Sequence, residues 1–347
     1  MSGWLMRKRV LLSVLSALVL LAVTAAVVYG WLDYRRFAQT PLTVTAAGQS
    51  IDVARGETLR DVVGELRTRH FSHAREWYWR VLAGQLRVAG RMHAGEYALP
   101  AGITPGVLLR NMAIGRVMQR DVTLVDGWNF AQVRQALAKA DKLSHDTAGL
   151  DDATIMQRLG MPGQNPEGWF LPETYAYVKG DTDLDVLRRA HQAMVKTLDA
   201  LWAGRAKDLP LATPYDALIL ASIVQKETAR ADERARVAGV FVRRLQTHML
   251  LQTDPSVIYG MGASYTGTIH KADLLADTPY NTYLHPGLPP TPIAMPGKPA
   301  IEAALHPQVG DALYFVARGD GTHAFAATLE QQNRNVACYQ LKHCDHD

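Results

Sequence analysis

Residues 10–32 of this chain carry no charged side chain, and they include the run Ala17-Leu18-Val19-Leu20-Leu21-Ala22-Val23. As a helix this segment reaches about 34 Å, enough to cross a bilayer core of about 30 Å. Trp4 precedes it and Tyr29, Trp31 and Tyr34 stand at its end, where aromatic side chains settle at membrane interfaces. Thr24-Ala25-Ala26 offers the small residues of a signal-peptide cleavage site. The apolar part is nevertheless long for a signal, so a retained transmembrane helix is the expectation. Arg7, Lys8 and Arg9 precede the segment, against Arg35 and Arg36 after it. That bias places the short N-terminus in the cytoplasm and the remainder outside. No second segment is comparably long and apolar, which argues against a polytopic protein.

Outside the cytoplasm, Cys338 and Cys344 meet an oxidising space in which they can pair. Idle thiols are the alternative. Together with His343 and His346 they match no recognised zinc spacing, so no metal is expected there. With 48% hydrophobic and 20% charged residues, the 347-residue chain is not disordered in the main. Its formal charge of +4, without zinc-finger or base-reading spacing, gives no reason to expect nucleic acid as a partner. The length suggests two domains, or one large domain with an appendage.

Beyond the apolar segment the pattern is α+β. Residues 42–53 alternate loosely and read as a strand or hairpin. Gly56-Glu57-Thr58 opens a helix with Leu59, Val62, Val63 and Leu66 on one face. A second helix is expected over 74–82, followed by a glycine-rich return through Gly84, Gly90 and Gly95. Thr104-Pro105 starts a third, with Val107, Leu108 and Met112 as its buried face. The sketch is a β-α-α-β-α module over 50–120. A strand at 121–125 and a helix at 130–139 follow, then loop around small helical segments over 140–163. Long helices are expected at 183–202, 214–230 and 233–245. Past Thr253 the chain reads as loop, with seven prolines from Pro279 to Pro299. A strand at 312–317 and a helix at 328–339 close it. The expected division is an N-terminus at 1–9, a membrane helix at 10–32, a small subdomain at 42–120, a larger mixed α+β domain at 121–340 and a tail at 341–347.

The sharpest chemical signal is Glu227, in Leu218-Ile219-Leu220-Ala221-Ser222-Ile223-Val224-Gln225-Lys226-Glu227-Thr228. On a helix it stacks four residues after Ile223 and seven after Leu220, on an apolar stripe. Such surroundings raise a carboxyl's pKa, as a general acid near neutral pH requires. The plainer reading is a helix-end glutamate bonded to Arg230. A second signal is the stiff cluster from Tyr280 through Asn281 and Tyr283 to Ile293, whose amides and aromatic rings suit sugars. A structural cover loop is its plainer reading. Asp254-Pro255 resembles a cap before a short helix. Glu167 and Glu173 flank Trp169 and offer a further carboxylate, or simply turn residues. The chain has no glycine-rich phosphate loop, Gly-x-Ser-x-Gly elbow or His-Glu-x-x-His motif, and no cofactor is expected.

These residues resemble the MltG (YceG-like) family of endolytic murein transglycosylases. The resemblance runs from about Val44 to Val336 and is carried by Glu167-Gly168-Trp169-Phe170-Leu171-Pro172-Glu173-Thr174-Tyr175 and Ala221-Ser222-Ile223-Val224-Gln225-Lys226-Glu227-Thr228. It continues in Leu251-Gln252-Thr253-Asp254-Pro255-Ser256, Tyr280-Asn281-Thr282-Tyr283, Gly287-Leu288-Pro289-Pro290-Thr291-Pro292-Ile293 and Gly321-Thr322-His323-Ala324-Phe325. It implies a single-pass inner-membrane enzyme facing the periplasm, with a LysM-like subdomain at 42–120 before the catalytic domain. It implies a lyase that cuts peptidoglycan glycan strands internally and leaves 1,6-anhydro-N-acetylmuramic acid ends, with Glu227 as catalytic residue. The chain departs from the family at Gln225, where a glutamate is common, and at Gln331-Gln332-Asn333, which replaces a common Glu-His-Asn.

One carboxyl suffices for such chemistry, because the substrate's own C6 hydroxyl replaces water as the attacking group. Asp254, Asn281, Tyr283 and Glu167 are the expected substrate-binding residues. A lysozyme-type hydrolase with Glu173 or Asp254 as second carboxylate is a rival reading. A non-catalytic wall-binding membrane protein is another. Tethering favours nascent strands near the membrane, and a peptidoglycan synthase is a plausible partner.

Overall fold

The computed structural model describes residues 2–344; His346 and the rest of the chain end lie outside the described residues. The chain forms two compact units, Met1–Gln119 with Val178–Gly180, and Arg120–Tyr177 with Asp181–Asp347.

In the first unit the apolar segment belongs to one longer helix, α1 (Ser2–Gln39). Within its candidate membrane span, Leu11–Gln39, the most apolar 18-residue stretch has a mean hydropathy of 2.7 and is not covered by protein. The helix extends past the expected end at residue 32 because its last turns find partners: Tyr34 is buried and Phe37 packs beside it in the unit's core. Strand β1 (Ser50–Val53) pairs antiparallel with β2 (Gly95–Ala98), Ile51 opposite Tyr97. Residues 42–49 form no strand. The Gln49 side chain accepts from the amides of Thr45 and Ala46 and closes a turn there, while the Leu42 amide goes to the Ile103 carbonyl. Helices α2 (Leu59–Thr68), α3 (Glu76–Gln85) and α4 (Pro105–Ala113) complete the expected β-α-α-β-α order. A Thr58–Asp61 capping box starts α2, and Val62, Val63 and Leu66 are its buried residues. In α4 Leu108 and Met112 are buried as expected, but Val107 is 39% exposed and Leu109 takes its place inside. One helical turn cannot bury 107, 108 and 109 together, and the turn faces the side that Leu109 shares with Met112.

The second unit begins with β3 (Gln119–Thr123, all but its first residue), α5 (Phe130–Ala138), α6 (Asp152–Arg158) and β4 (Thr174–Val178, all but its last residue), with β3 and β4 paired. Helices α7 (Asp183–Ala203), α8 (Pro214–Glu227), α9 (Arg234–Gln246), α10 (Asp254–Met261) and α11 (Lys298–Leu305) form its body. An antiparallel hairpin, β5 (Tyr314–Ala317) with β6 (His323–Ala326), and α12 (Leu329–Tyr339) close the unit. Helix α8 is the axis of this unit. Every residue from Ala217 to Val224 is buried, because α7, α9, α10 and α11 all pack against it. Its run Ala217-Leu218-Ile219-Leu220-Ala221-Ser222-Ile223-Val224 is accordingly apolar on every face but for Ser222, whose hydroxyl donates to the Ile219 carbonyl and accepts from the Ile293 amide.

Two expectations need correction. Helix α8 ends at Glu227, not at residue 230, since Thr228 is extended. Helix α11 and strand β6 interrupt what reads as loop beyond Thr253, while α10 is the short helix expected at Asp254-Pro255, with Thr253 rather than Asp254 at its cap position. Both helices tolerate proline because Pro255 and Pro299 sit in first turns, where a missing N–H costs nothing. Cys338 and Cys344 are joined as a disulfide, the pairing expected of an oxidising space, which ties the tail to α12.

Candidate active site

Helix α8 starts at a Thr213–Asp216 capping box with Pro214 in the first turn, and it delivers Glu227 at its last position. The plainer reading of Glu227 as an Arg230 partner does not hold. Arg230 pairs with Asp232 instead, its Nη2 2.6 Å from Oδ2. With the helix ended at Glu227, Arg230 is no longer one turn away. The Glu227 carboxylate instead accepts a hydrogen bond from the hydroxyl of Thr253, which caps α10. Glu227 is half-buried. Burial pushes its carboxyl up to about 7; the Thr253 bond opposes this, the Asp254 charge adds to it, and His323 and Arg244 pull it back.

The surroundings of Glu227 come from several elements. Asp254, the first residue of α10, accepts from the Tyr283 hydroxyl at 2.6 Å. Thr282 is buried beside them: its hydroxyl takes the Thr253 amide at 3.1 Å and meets the Ser256 hydroxyl at 2.9 Å. Asn281 is wholly buried, and its amide is spent on the backbone. It donates to the carbonyls of Leu274 and Ala276 and accepts from the Tyr283 amide at 3.0 Å. Asn281 thus fixes the loop that presents Tyr283. Arg244 is buried with its guanidinium on the carbonyls of Leu313, Leu250 and Leu251. His323, on β6, is held by Glu233 at 2.7 Å and stands edge-on to Phe315.

Glu167 occupies a different environment. It is 4% exposed, and its carboxylate accepts from the Phe130 amide at the start of α5 (3.0 Å) and from the Tyr259 hydroxyl (3.1 Å). Burial outweighs both bonds and raises its carboxyl to about 7. The next residue, Gly168, has φ +83°, and a Cβ there would meet the Pro292 ring at 2.6 Å, so only glycine fits this turn. Trp169 stacks on Tyr215 with ring centroids 5.6 Å apart, beside a cavity of about 720 Å³ also lined by His191, Asn165 and Thr213. Glu173 is exposed.

The two departures from the family pattern have structural occupations. Gln225 accepts from the Gly297 amide that caps α11, and Gln331 closes the capping box of α12. Among the described residues no group of three His, Cys, Asp or Glu is placed to hold a metal ion. Sequence reasoning singled out Glu227, Asp254 and Tyr283, which lie in one neighbourhood. It missed Thr253, Arg244 and the Glu233–His323 pair. A threonine before Asp254-Pro255 signals a helix start, but nothing local shows that its hydroxyl turns to α8 instead.

Comparison with known proteins bears on this geometry. The endolytic murein transglycosylase of Bacillus subtilis (strain 168) is 31% identical over 263 residues, covering 71% of this chain and 72% of the relative. That of Streptococcus pneumoniae (serotype 2, strain D39) is 34% identical over 211 residues, 59% of this chain and 36% of the relative. The chain thus spans about a third of the pneumococcal protein's length. The 2.6 Å crystal structure of a yceG-like protein, lmo1499 from Listeria monocytogenes, superposes with a TM-score of 0.52 at 25% identity, over 82% of this chain and 97% of that one. The YceG-like family matches residues 51–338, which run from within β1 to within α12 and include every residue of the candidate site. The chain belongs to the YceG-like family.

Proposed function

We propose that the protein is a membrane-anchored endolytic peptidoglycan lytic transglycosylase with Glu227 as its general acid and then base. The observation that carries this reading is one carboxyl at the end of a buried helix, raised to about 7, among Thr253, Asp254 and Tyr283. At neutral pH such a group is present in both protonation states, which a residue acting twice requires. The names of the relatives supply the substrate: murein.

The protonated Glu227 gives its proton to the oxygen of the bond between N-acetylmuramic acid and N-acetylglucosamine, and the C1–O bond breaks. The C6 hydroxyl of the muramic acid then closes onto C1, and the Glu227 carboxylate takes its proton. The acid is regenerated, a 1,6-anhydro ring is formed and no water is consumed. Holding the C6 hydroxyl against C1 is the entropic part of the task. Tyr283 and Asp254 are placed to shape the floor on which the sugar rests, with Asn281 fixing that floor from beneath.

Helix α1 serves as the single-pass anchor in the inner membrane, N-terminus inside, with the second unit in the periplasm. Residues 42–120 form a LysM-like wall-binding subdomain, and a synthase of nascent strands is the natural partner. The second reading is a hydrolase with Asp254 as second carboxylate, favoured by the charge that Asp254 exerts on Glu227.

The test is digestion of purified glycan strands by the full chain and by Glu227→Gln, with products weighed by mass spectrometry. Products one water lighter than reducing ends, absent with the variant, support the transglycosylase. Reducing ends establish a hydrolase, and equal products from both proteins remove Glu227 from the reaction.

A further inference from the structure

Helix α3 carries an exposed stripe. Trp77 is 46% and Val81 40% exposed, and with Arg80 and Gly84 they fall at positions i, i+3, i+4 and i+7 of one face. The opposite face is used up in the core by Tyr78, Trp79, Leu82 and Ala83. An exposed tryptophan and valine with an interleaved arginine is a costly surface in water and a favourable one at a lipid headgroup boundary.

The position of α3 relative to α1 decides between these. The uncharged part of α1 ends at Leu32, and Asp33 is the first charge after it. The Tyr78 hydroxyl donates to the Asp33 carboxylate, and the Tyr34 hydroxyl donates to Gln85. Phe37 stacks on Tyr78 with centroids 5.5 Å apart, and the Trp77 ring lies 4.1 Å from that of Tyr78. Trp77 therefore stands within one residue's reach of the level at which α1 leaves the hydrocarbon. Tyr29 and Trp31 on α1, 74% and 53% exposed, mark the same level. The rest of this unit has the matching charge. Between residues 40 and 119 there are ten arginines and no lysine against six acidic residues, and all ten arginines are exposed.

We propose that the Trp77–Val81 face of α3 lies in the interfacial layer of the bilayer that α1 crosses, as a second membrane contact beside the anchor, with Arg75 and Arg80 on anionic headgroups. This rests on the reading of α1 as a membrane anchor. A helix fixed to α1 and wetted by lipid stops the first unit from swinging freely about the end of its anchor.

The experiment uses the full chain in vesicles of phosphatidylcholine and phosphatidylglycerol with brominated acyl chains. Cys338 and Cys344 are paired, so one introduced cysteine can carry a polarity-sensitive fluorophore. Leu20→Cys reports the anchor, Trp77→Cys and Val81→Cys report α3, and Glu57→Cys, exposed in the turn before α2, is the control. Quenching of about twofold at 77 and 81, strong quenching at 20 and none at 57 is the expected result. Quenching at 20 with labels at 77 and 81 as wet as that at 57 overturns the inference and leaves the anchor standing. Equal quenching at 57, 77 and 81 also overturns it, since the contact would then not belong to α3. An unquenched label at 20 removes the anchor and the inference together.

Discussion

The hydroxyl of Thr253, cap of one helix, donates to the carboxylate of Glu227, the last residue of another. The bond favours the charged carboxylate and works against the burial that raises it. Thr253→Val keeps the side chain's volume and deletes the bond. The carboxyl then rises further, and the pH–rate profile is expected to move to higher pH by about one unit. A profile that stays in place would falsify the role given to Thr253.

Glu227→Gln separates chemistry from folding. Cleavage is expected to fall on the order of a hundredfold or more. The folded protein holds this carboxyl near 7, above its ordinary value of 4.5, so its stabilising contribution is complete below about 4.5 and is lost as pH rises through 7. At pH 8 the glutamine variant is therefore expected to melt no lower than the native chain, and calorimetry at pH 5 and pH 8 checks this.

Glu167 follows the same sign with less connection to the site. It is buried against the Phe130 amide and the Tyr259 hydroxyl, and its carboxyl is also raised to about 7. Native stability should decline between pH 5 and pH 8 by about 3 kcal/mol on this account alone. Glu167→Gln, which keeps an acceptor for Phe130, is expected to flatten that decline while cleavage stays within about threefold. Chemical denaturation across the pH range measures it.

Asn281 and Tyr283 are neighbours with different duties. Asn281→Ala removes three part-buried hydrogen bonds from a wholly buried side chain, to two carbonyls and one amide, and should cost about 1–3 kcal/mol of stability. Tyr283→Phe removes one bond to the exposed Asp254 and should cost under about 1 kcal/mol. Its effect is expected in KM for glycan instead. If Asn281→Ala melts like the native chain, the supporting role assigned to it is wrong.

Gly168 tests the turn that carries Glu167. A methyl group there has neither the backbone angle nor the space, with the Pro292 ring 2.6 Å away. Gly168→Ala should destabilise the second unit by about 2 kcal/mol or more, visible as a lowered melting temperature.

Much of this protein is written locally. The uncharged run at 10–32, the capping threonines at 58, 104 and 213 and the apolar stretch before Glu227 act within a few residues, and the elements they announce are present. The motifs around Glu167, Glu227, Asp254 and Tyr283 were enough to suggest the family. Helix ends were less legible: α8 stops at Glu227 although helical periodicity continues to Arg230, because Thr228 leaves the helix.

What the sequence by itself determined is which residues are apolar, where helices can start and which carboxyl stands at the end of a buried helix. Only the tertiary structure decided what that carboxyl meets. Thr253, Arg244 and His323 follow Glu227 by 26, 17 and 96 positions, on separate elements, and no local pattern brings them together. The same holds for Asn281, whose amide looked suited to a sugar and is consumed by backbone carbonyls. Hydrogen bonds between distant segments are decided by how buried helices pack, and a pKa near 7 follows from that packing rather than from the residue's neighbours in the chain.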